Sequence, residues 1–344
     1  MNSSPSVAIV LLNYNGKNYL ESNIPFILQA SYQNKKIFVI DNASTDDSVP
    51  FLKEKYPGIH IIESAVNYGY AGGYNKGLKQ IEADYYILIN TDVEVTSGFI
   101  EPLLKTIDNN PDAAICQPKI LSLEHRDQFE YAGAAGGFMD KYGYTFARGR
   151  ILDQYEKDTG QYDQDCEIFW AGGACFLIKA SVFHELNGFY DYFFMYFEEV
   201  DLCWRAKLAG YNIWYSHQSV IYHKETDQFI KQSPRRIHYV FRNNFICLLR
   251  NLSLKSKLTL VPARIALNLL ASFVFLIKGH IGKSLVVIKS LFTALAWVLF
   301  VPKQKIKKKI SLKNIPAIYK KSILVSYYLK KKKKFSLLEK GNFD

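Results

Sequence analysis

Cysteine is scarce in this chain of 344 residues: Cys116, Cys166, Cys175, Cys203 and Cys247 are scattered, odd in number and without a C-x-x-C pair. That excludes a disulfide-framed scaffold and a structural zinc site, and it fits a reducing cytoplasm. The glycine-rich stretches contain neither G-x-G-x-x-G nor the P-loop lysine pattern, so neither a dinucleotide fold nor an NTPase follows. No basic region at the N-terminus leads into an apolar stretch of signal-peptide length. VAIVLL (7–12) is short and runs straight into NYNG, which reads as a first strand. No Ser-His-Asp order suggests a nucleophile. Acid is missing from a whole third of the chain, with none between Asp227 and Glu339. Residues 1–227 hold 30 acids against 18 Lys and Arg, a net of −12, whereas residues 228–344 hold 25 bases against Glu339 and Asp344, a net of +23.

A basic half can bind nucleic acid or an anionic membrane surface. Here its aromatic residues are embedded in apolar runs and do not alternate with bases, which argues for the membrane and against nucleic acid. Two apolar stretches, 258–277 and 284–302, flank KGHIGK. Both sit at the lower edge of the ~20 residues that span a bilayer. The first contains Arg264 and Asn268, and the second is interrupted by Lys289. Lys255, Lys257 and Arg264 stand at one outer end, KQKIKKK (303–309) at the other, and KKKKK (330–334) further on. Such flanks set both ends on the cytoplasmic side. A buried hairpin of a soluble protein is the plainer alternative. Spanning and interfacial helices both remain open.

The first part alternates strand and helix signals, which implies a parallel sheet wound with helices. Strands are expected at 7–12, 36–40, 59–63 and 85–89, with helices near 17–30, 46–56, 71–82 and 97–108. Ser44-Thr45-Asp46 and Thr96-Ser97 read as N-caps. Residues 125–165, rich in Gly, Tyr and Asp without a clear period, read as a loop-rich insertion over the site. An extended segment (168–179), helices near 180–187 and 198–211, short strands at 212–215 and 219–223, and a helix near 233–251 follow.

Candidate chemistry lies at the strand ends. The run Tyr85–Ile89 ends in Asn90, Thr91 and Asp92, so a carboxylate faces the crevice where open α/β sheets bind ligands. It can hold a divalent metal against a diphosphate, or simply start a turn. Asp41 ends another strand, where a carboxylate accepts hydrogen bonds from a base or ribose, or makes an Asx-turn. Glycine-rich NYGYAGGYNKG (67–77) opens a helix and can approach a nucleotide closely. FEEVDLCWR (197–205) sets Glu198, Glu199 and Asp201 at a helix start, where acids also suit the helix dipole. The aromatic run before them should raise a carboxylate's pKa, as a general base needs. His223 ends an apolar strand, where a lone histidine is more often a satisfied core or surface residue than a ligand.

VAIVLLNYNG, VIDNASTDDS, NYGYAGGYNKG, LINTDVEV, WAGGACFLIKAS, FEEVDLCWRAKLAGY and the histidine of IYHKE occur in this order over residues 5–250. Together they resemble the family-2 glycosyltransferases of GT-A fold, closest to the rhamnosyltransferase-like branch that builds cell-surface polysaccharides. The resemblance implies an α/β, Rossmann-like GT-A catalytic domain over 1–252, with a nucleotide-binding half to about 120 and an acceptor half after it. Residues 253–344 would form a mainly helical, membrane-associated region. It further implies that Asn13, Tyr14, Asp41 and Asn67 line the nucleotide pocket. Asn90 and Asp92 stand at the family's D-x-D, with Asn90 in place of the first aspartate and Asp92 as metal ligand. His223 would complete the metal site, and Gly172, Gly173 and Ala174 would form the acceptor and diphosphate wall. Glu199 falls where the family's base aspartate stands, with Glu198 and Asp201 as alternatives. The expected cofactor is Mg²⁺ or Mn²⁺, and an O/N ligand set tilts the choice toward Mn²⁺.

The chemistry agrees: a leaving diphosphate needs a Lewis acid, and one carboxylate base gives inversion by direct displacement. The expected function is an inverting transferase at the cytoplasmic face of the membrane. Its donor would be dTDP-rhamnose or a UDP-hexose, and its acceptor a lipid-linked or cell-surface glycan. The alternative is a non-catalytic nucleotide-sugar-binding scaffold. A nucleotidyltransferase is disfavoured, because LLNYNGKNYL (11–20) lacks a glycine-rich basic loop. Oligomeric state is not legible.

Overall fold

Short apolar runs bounded by polar residues become the buried strands of a parallel sheet. The computed structural model describes residues 4–224, 233–300 and 315–343. The first half comprises β1 (Val7–Asn13), α1 (Lys17–Leu28), β2 (Lys35–Asp41), α2 (Ser48–Lys55), β3 (His60–Glu63), α3 (Gly69–Gly77) and β4 (Tyr85–Asn90). β1 pairs in parallel with β2 and β4, and β2 with β3, giving the order 3-2-1-4. Period-two alternation puts Val7, Ile9 and Leu11 in one apolar layer with Leu20, Ile24 and Ile27 of α1, while Ala8 and Val10 enter the layer on the other face. All four expected strands form. Gly73 and Gly77 of α3 serve packing on the sheet: a Cβ would stand 2.7 Å from Leu12 Cδ1 and 2.2 Å from Ile40 Cδ1, respectively.

The anticipated caps form only in part: Asp46 Oδ1 accepts from Ser48 N, at the start of α2, at 3.1 Å, whereas the hydroxyls of Ser44 and Thr96 turn elsewhere. Ser44 Oγ instead accepts from Asn13 Nδ2 at 3.0 Å, and Thr96 Oγ1 donates to Val220 O at 2.9 Å. Sheet and site draw off the hydroxyls that local sequence assigns to helix ends.

Then come β5 (Val93–Val95), α4 (Ile100–Asp108) and β6 (Ala113–Ser122). Ile100, Leu103, Leu104 and Ile107 recur at helical spacing and bury one face of α4. Within residues 125–165, expected as a loop-rich insertion, the short strands β7 (Gly137–Asp140), β8 (Thr145–Ala147), β9 (Arg150–Ile151) and β10 (Gln154–Tyr155) form an antiparallel meander between loops. Strands this short leave no readable period.

The rest of the main sheet is β11 (Cys166–Ile168), β12 (Cys175–Lys179) and, after α5 (Ala180–Glu185) and α6 (Glu198–Ala209), β13 (Asn212–His223). β12 lies antiparallel between β4 and β6, and β13 runs parallel to β6. The two strands expected at 212–215 and 219–223 are one strand whose register shifts between Ser216 and Val220. α6 ends at Gly210 with φ 101°, the left-handed stop a C′ glycine supplies.

Three helices close the fold: α7 (Pro234–Asn251), α8 (Leu254–Ile277) and α9 (Ile281–Phe300). His238 Nδ1 meets Ser290 Oγ at 3.0 Å, Ser272 Oγ meets Ser284 Oγ at 2.8 Å, and Trp297 Nε1 donates to Tyr190 Oη at 2.9 Å, tying the helices to each other and to the catalytic part. α8 and α9 are long and apolar enough to cross a membrane by length and composition. Leu269, Leu270, Phe273 and Ile277 of α8, and Leu285, Phe292 and Leu299 of α9, are exposed. Arg264, Asn268 and Ser272, one turn apart, form the buried polar stripe of α8. The basic run 303–309 lies outside the described residues. Further on, β14 (Ile318–Tyr319) joins the meander in parallel beside β7, and Phe335 and Phe343 pack on Phe138.

Candidate active site

At the carboxyl ends of β1 and β2, Asn13 and Asp41 are register partners. Asn13 Nδ2 donates to Asp41 Oδ1 at 2.9 Å, and Ser44 N donates to Asp41 Oδ2 at 2.9 Å. Asn67 Oδ1 accepts from Asn42 Nδ2 at 3.0 Å and from Gly69 N at 2.8 Å, and Tyr14 stands at the rim, 52 % exposed. These residues form one polar patch at the strand ends, where open α/β sheets take ligands. They do not line the main cavity.

That cavity, of about 470 Å³, is lined by Asn90, Asp92, Gly173, Glu198, Glu199 and His223 among others. Sheet register assembles it. β5 pairs with β13 so that Val93 faces His223, which sets Asp92 beside the imidazole. His223 Nε2 lies 3.2 Å from Asp92 Oδ1, and Nδ1 lies 3.0 Å from Glu130 Oε2. Burial alone would raise the Asp92 carboxyl, but His223 holds it below the usual range. Burial alone would lower His223, yet Glu130 and Asp92 raise it well above its ordinary value. Glu130, itself buried, was not singled out from sequence. It sits in the aperiodic insertion, and only its place behind the histidine reveals it as the orienting carboxylate.

Opposite stand Glu198 and Glu199, in the first turn of α6. Burial pushes Glu199 up to about 7, and burial together with Glu199 pushes Glu198 well above the carboxylate range. One carboxylate oxygen of each is buried without a hydrogen-bond partner. Tyr70 Oη donates to Gly173 O at 2.8 Å, and Gly173 borders the Glu199 side chain. At Gly172 a Cβ would fall 1.7 Å from Ala132 O, so only glycine lets the wall close.

Asp201 does not line the cavity. Its oxygens accept from Arg205 Nε at 2.8 Å, Arg250 Nε at 3.0 Å and Asn251 Nδ2 at 2.8 Å. Burial would raise it, and the two arginines hold it low.

The turn that aims Glu198 and Glu199 is strained, with Phe194, Tyr196 and Phe197 at φ of 63°, 69° and 71°. Such conformations are unfavourable for bulky residues and persist only when the surroundings hold them. Asn243 of α7 does so: its Nδ2 donates to Phe193 O, Met195 O and Tyr196 O at 3.0, 2.9 and 2.8 Å. Asn243 too was missed, because an asparagine inside an amphipathic helix carries no signal of its partner.

The donor set at the metal position, one carboxylate oxygen and one imidazole nitrogen, suits a divalent cation that takes its remaining ligands from a diphosphate and water. The two donors converge, both His223 nitrogens lack a hydrogen bond of good geometry, and Glu130 supplies the second carboxylate behind the ring. Among the described residues no cluster of three or more His, Cys, Asp or Glu arranged to hold a metal occurs.

A 3-2-1-4 parallel half continued by antiparallel β12, with an acid at the end of β4 and a carboxylate pair on a facing helix, defines the GT-A fold of nucleotide-diphospho-sugar transferases. The glycosyl transferase family 2 model matches residues 6–204, and the chain belongs to that family. It is 26 % identical over 245 residues to the low-salt glycan biosynthesis hexosyltransferase Agl10 of Haloferax volcanii, covering 70 % of this chain and 74 % of that one. To the N-acetylglucosaminyl-diphospho-decaprenol L-rhamnosyltransferase of Mycobacterium tuberculosis it is 25 % identical, covering 63 % and 75 %. Among solved structures, the mannosyltransferase PcManGT of Pyrobaculum calidifontis, in complex with GDP-Man and Mn²⁺, is similar with TM-score 0.54 and 14 % identity, covering 86 % of this chain and 76 % of that one. GalNAc-T7 with UDP, GalNAc and Mn²⁺ is similar with TM-score 0.58 and 14 % identity over 74 % of this chain, which spans about half (49 %) of that one. The protein is thus a glycosyltransferase.

Proposed function

We propose that this glycosyltransferase moves one sugar, with inversion, from a nucleotide-diphosphate donor to a lipid-linked or cell-surface glycan. The observation that carries the reading is the convergence of Asp92, His223 and Glu199 on one cavity. The acceptor hydroxyl gives its proton to Glu199 while its oxygen forms the bond to the anomeric carbon. The bond from that carbon to the phosphate oxygen breaks, and the diphosphate leaves with the electron pair on the opposite face. Asp92 and His223 would hold Mg²⁺ or Mn²⁺, which supplies Lewis-acid charge to the leaving diphosphate. The solved neighbours with Mn²⁺ support a divalent ion. Asn13, Tyr14, Asp41 and Asn67 form the base and ribose end. The relatives favour rhamnose or a hexose as the sugar, and the mycobacterial one's name supports an acceptor on a polyprenyl diphosphate.

The exposed outer sides of α8 and α9 support attachment to the cytoplasmic face of a membrane. Because Arg264, Asn268 and Ser272 are buried, Arg264 beside Asn244 of α7 and Ser272 beside Ser284 of α9, while other faces are exposed, the reading favours helices lying in the interface over a spanning hairpin. The test is sugar transfer by the full chain with dTDP-rhamnose and UDP-hexoses. Asp92→Asn and Glu199→Gln should each lower kcat by at least about 100-fold. Glu199→Gln should leave thermal stabilisation by nucleotide and Mn²⁺ intact. Turnover by Glu199→Gln at the wild-type rate removes Glu199 from the reaction.

A further inference from the structure

We propose that Arg236 and Arg264 form an anion subsite in the helical wall of the cavity, which takes the phosphate oxygens of the acceptor's diphosphate. Both line the cavity that holds Glu199, Arg236 from the first turn of α7 and Arg264 from α8. They are only 8 % and 2 % exposed. Arg236 Nη1, and Nε and Nη1 of Arg264, are buried without a hydrogen-bond acceptor. Among the described residues no carboxylate is ion-paired with either side chain.

Among the described residues the guanidiniums rest on aromatic rings and an amide, and Asp140 acts on Arg264 through space without an ion pair. The Tyr144 ring lies 3.7 Å from the Arg264 guanidinium carbon, and Asn244 Oδ1 accepts from Arg264 Nη2. The rings of Tyr131 and Tyr196 lie 5.1 and 5.3 Å from that of Arg236. Asp140, buried on β7, could have served Arg264 but gives its oxygens to the backbone N–H groups of Tyr142, Tyr144 and Ile323. The contrast lies close by in the same chain: Arg205 and Arg250 share Asp201. A buried cation without a counter-ion is unfavourable, and a planar fork held on aromatic faces with free N–H groups matches phosphate.

On the proposed function, the donor's diphosphate would be held at Asp92 and His223, where a bound divalent ion would offset its charge. The arginines lie toward α8, whose outer side bears Leu270 and Phe273, so the anion that reaches them is carried by a molecule with an apolar part. This assignment rests on the proposed transfer to a lipid-linked acceptor.

Titration calorimetry of the full chain tests it, in EDTA, with inorganic diphosphate and with farnesyl diphosphate. Both should bind, the prenyl form more tightly, and Arg236→Met with Arg264→Met should weaken both at least about tenfold. Binding of dTDP or UDP with Mn²⁺ should be unchanged in the same variant. Undiminished binding of the metal-free diphosphates overturns the subsite. Loss of nucleoside diphosphate binding assigns the arginines to the donor and overturns it too, as does inorganic diphosphate binding while farnesyl diphosphate does not. If the double variant does not fold, Arg264→Lys, which keeps the charge but not the fork, should weaken farnesyl diphosphate several-fold, and equal affinity is the refuting result. Failure of the broader transferase reading looks different: no nucleoside diphosphate binds, while the metal-free diphosphates still do.

Discussion

Burial pushes the Glu199 carboxyl up to about 7, and this has two measurable consequences. A protonated Glu199 cannot accept the hydroxyl proton, so kcat/KM should climb with pH toward about 7 and level off above it. The same raised carboxyl means that the native state binds a proton the unfolded chain has already lost. Its contribution to stability is therefore present at low pH and disappears as pH rises through about 7. Glu199→Gln should accordingly melt higher than wild type at pH 8 and close to it at pH 4, as thermal unfolding at both values will report. Asp201 behaves oppositely. Asp201→Asn leaves Arg205 and Arg250 buried without their shared carboxylate, and denaturant unfolding should show a loss of about 3–5 kcal/mol. Sequence could not separate these acids. They share one helical turn, and residues two apart point to nearly opposite sides of a helix, so their roles depend on its rotational phase. Asp92, His223 and Glu199 each carry only a weak local signal; the order of the motifs is what singled them out together, and all three line one cavity. Glu130 and Asn243 act through partners far along the chain and leave no local mark.

Among the elements, the strained turn over 194–197 and its clamp carry most weight. Asn243→Ala removes the amide whose two N–H groups are shared among the carbonyls of Phe193, Met195 and Tyr196, and lets Phe194, Tyr196 and Phe197 relax. We expect kcat to fall about ten- to 100-fold with donor binding little changed, measured by steady-state kinetics alongside nucleotide titration. The parallel half of the sheet was readable from period and punctuation alone, since β1 and β4 are runs buried on both sides and β2 and β3 are short apolar runs bounded by polar residues. β13 was read as two because its register shift looks like a break, yet that continuity lets one strand carry His223 past β5 to Asp92. The meander β7–β10 was unreadable for the opposite reason: its strands are too short to set a period, and its order comes from the packing of Phe138 and Phe146.

For the whole molecule, the asymmetry of charge and greasiness along the sequence becomes an asymmetry of surface. Replacing Leu270, Phe273 and Phe292 together by glutamate should shift the protein from the membrane pellet to the supernatant on flotation, with the far-ultraviolet spectrum unchanged. High salt should release the wild type only in part, because apolar contact and lysine attraction both contribute.

The pairing of Ile318 and Tyr319 with Met139 and Asp140 also bears on biosynthesis. The ribosome adds about 180 residues between the two partners, on the order of 10–40 s of elongation. Throughout that interval one border of the meander presents unpaired backbone groups, an invitation to wrong partners. Both apolar helices, α8 and α9, are made before this strand, so the last strand of the described residues is the one that latches the wall beside Tyr144 and Arg264.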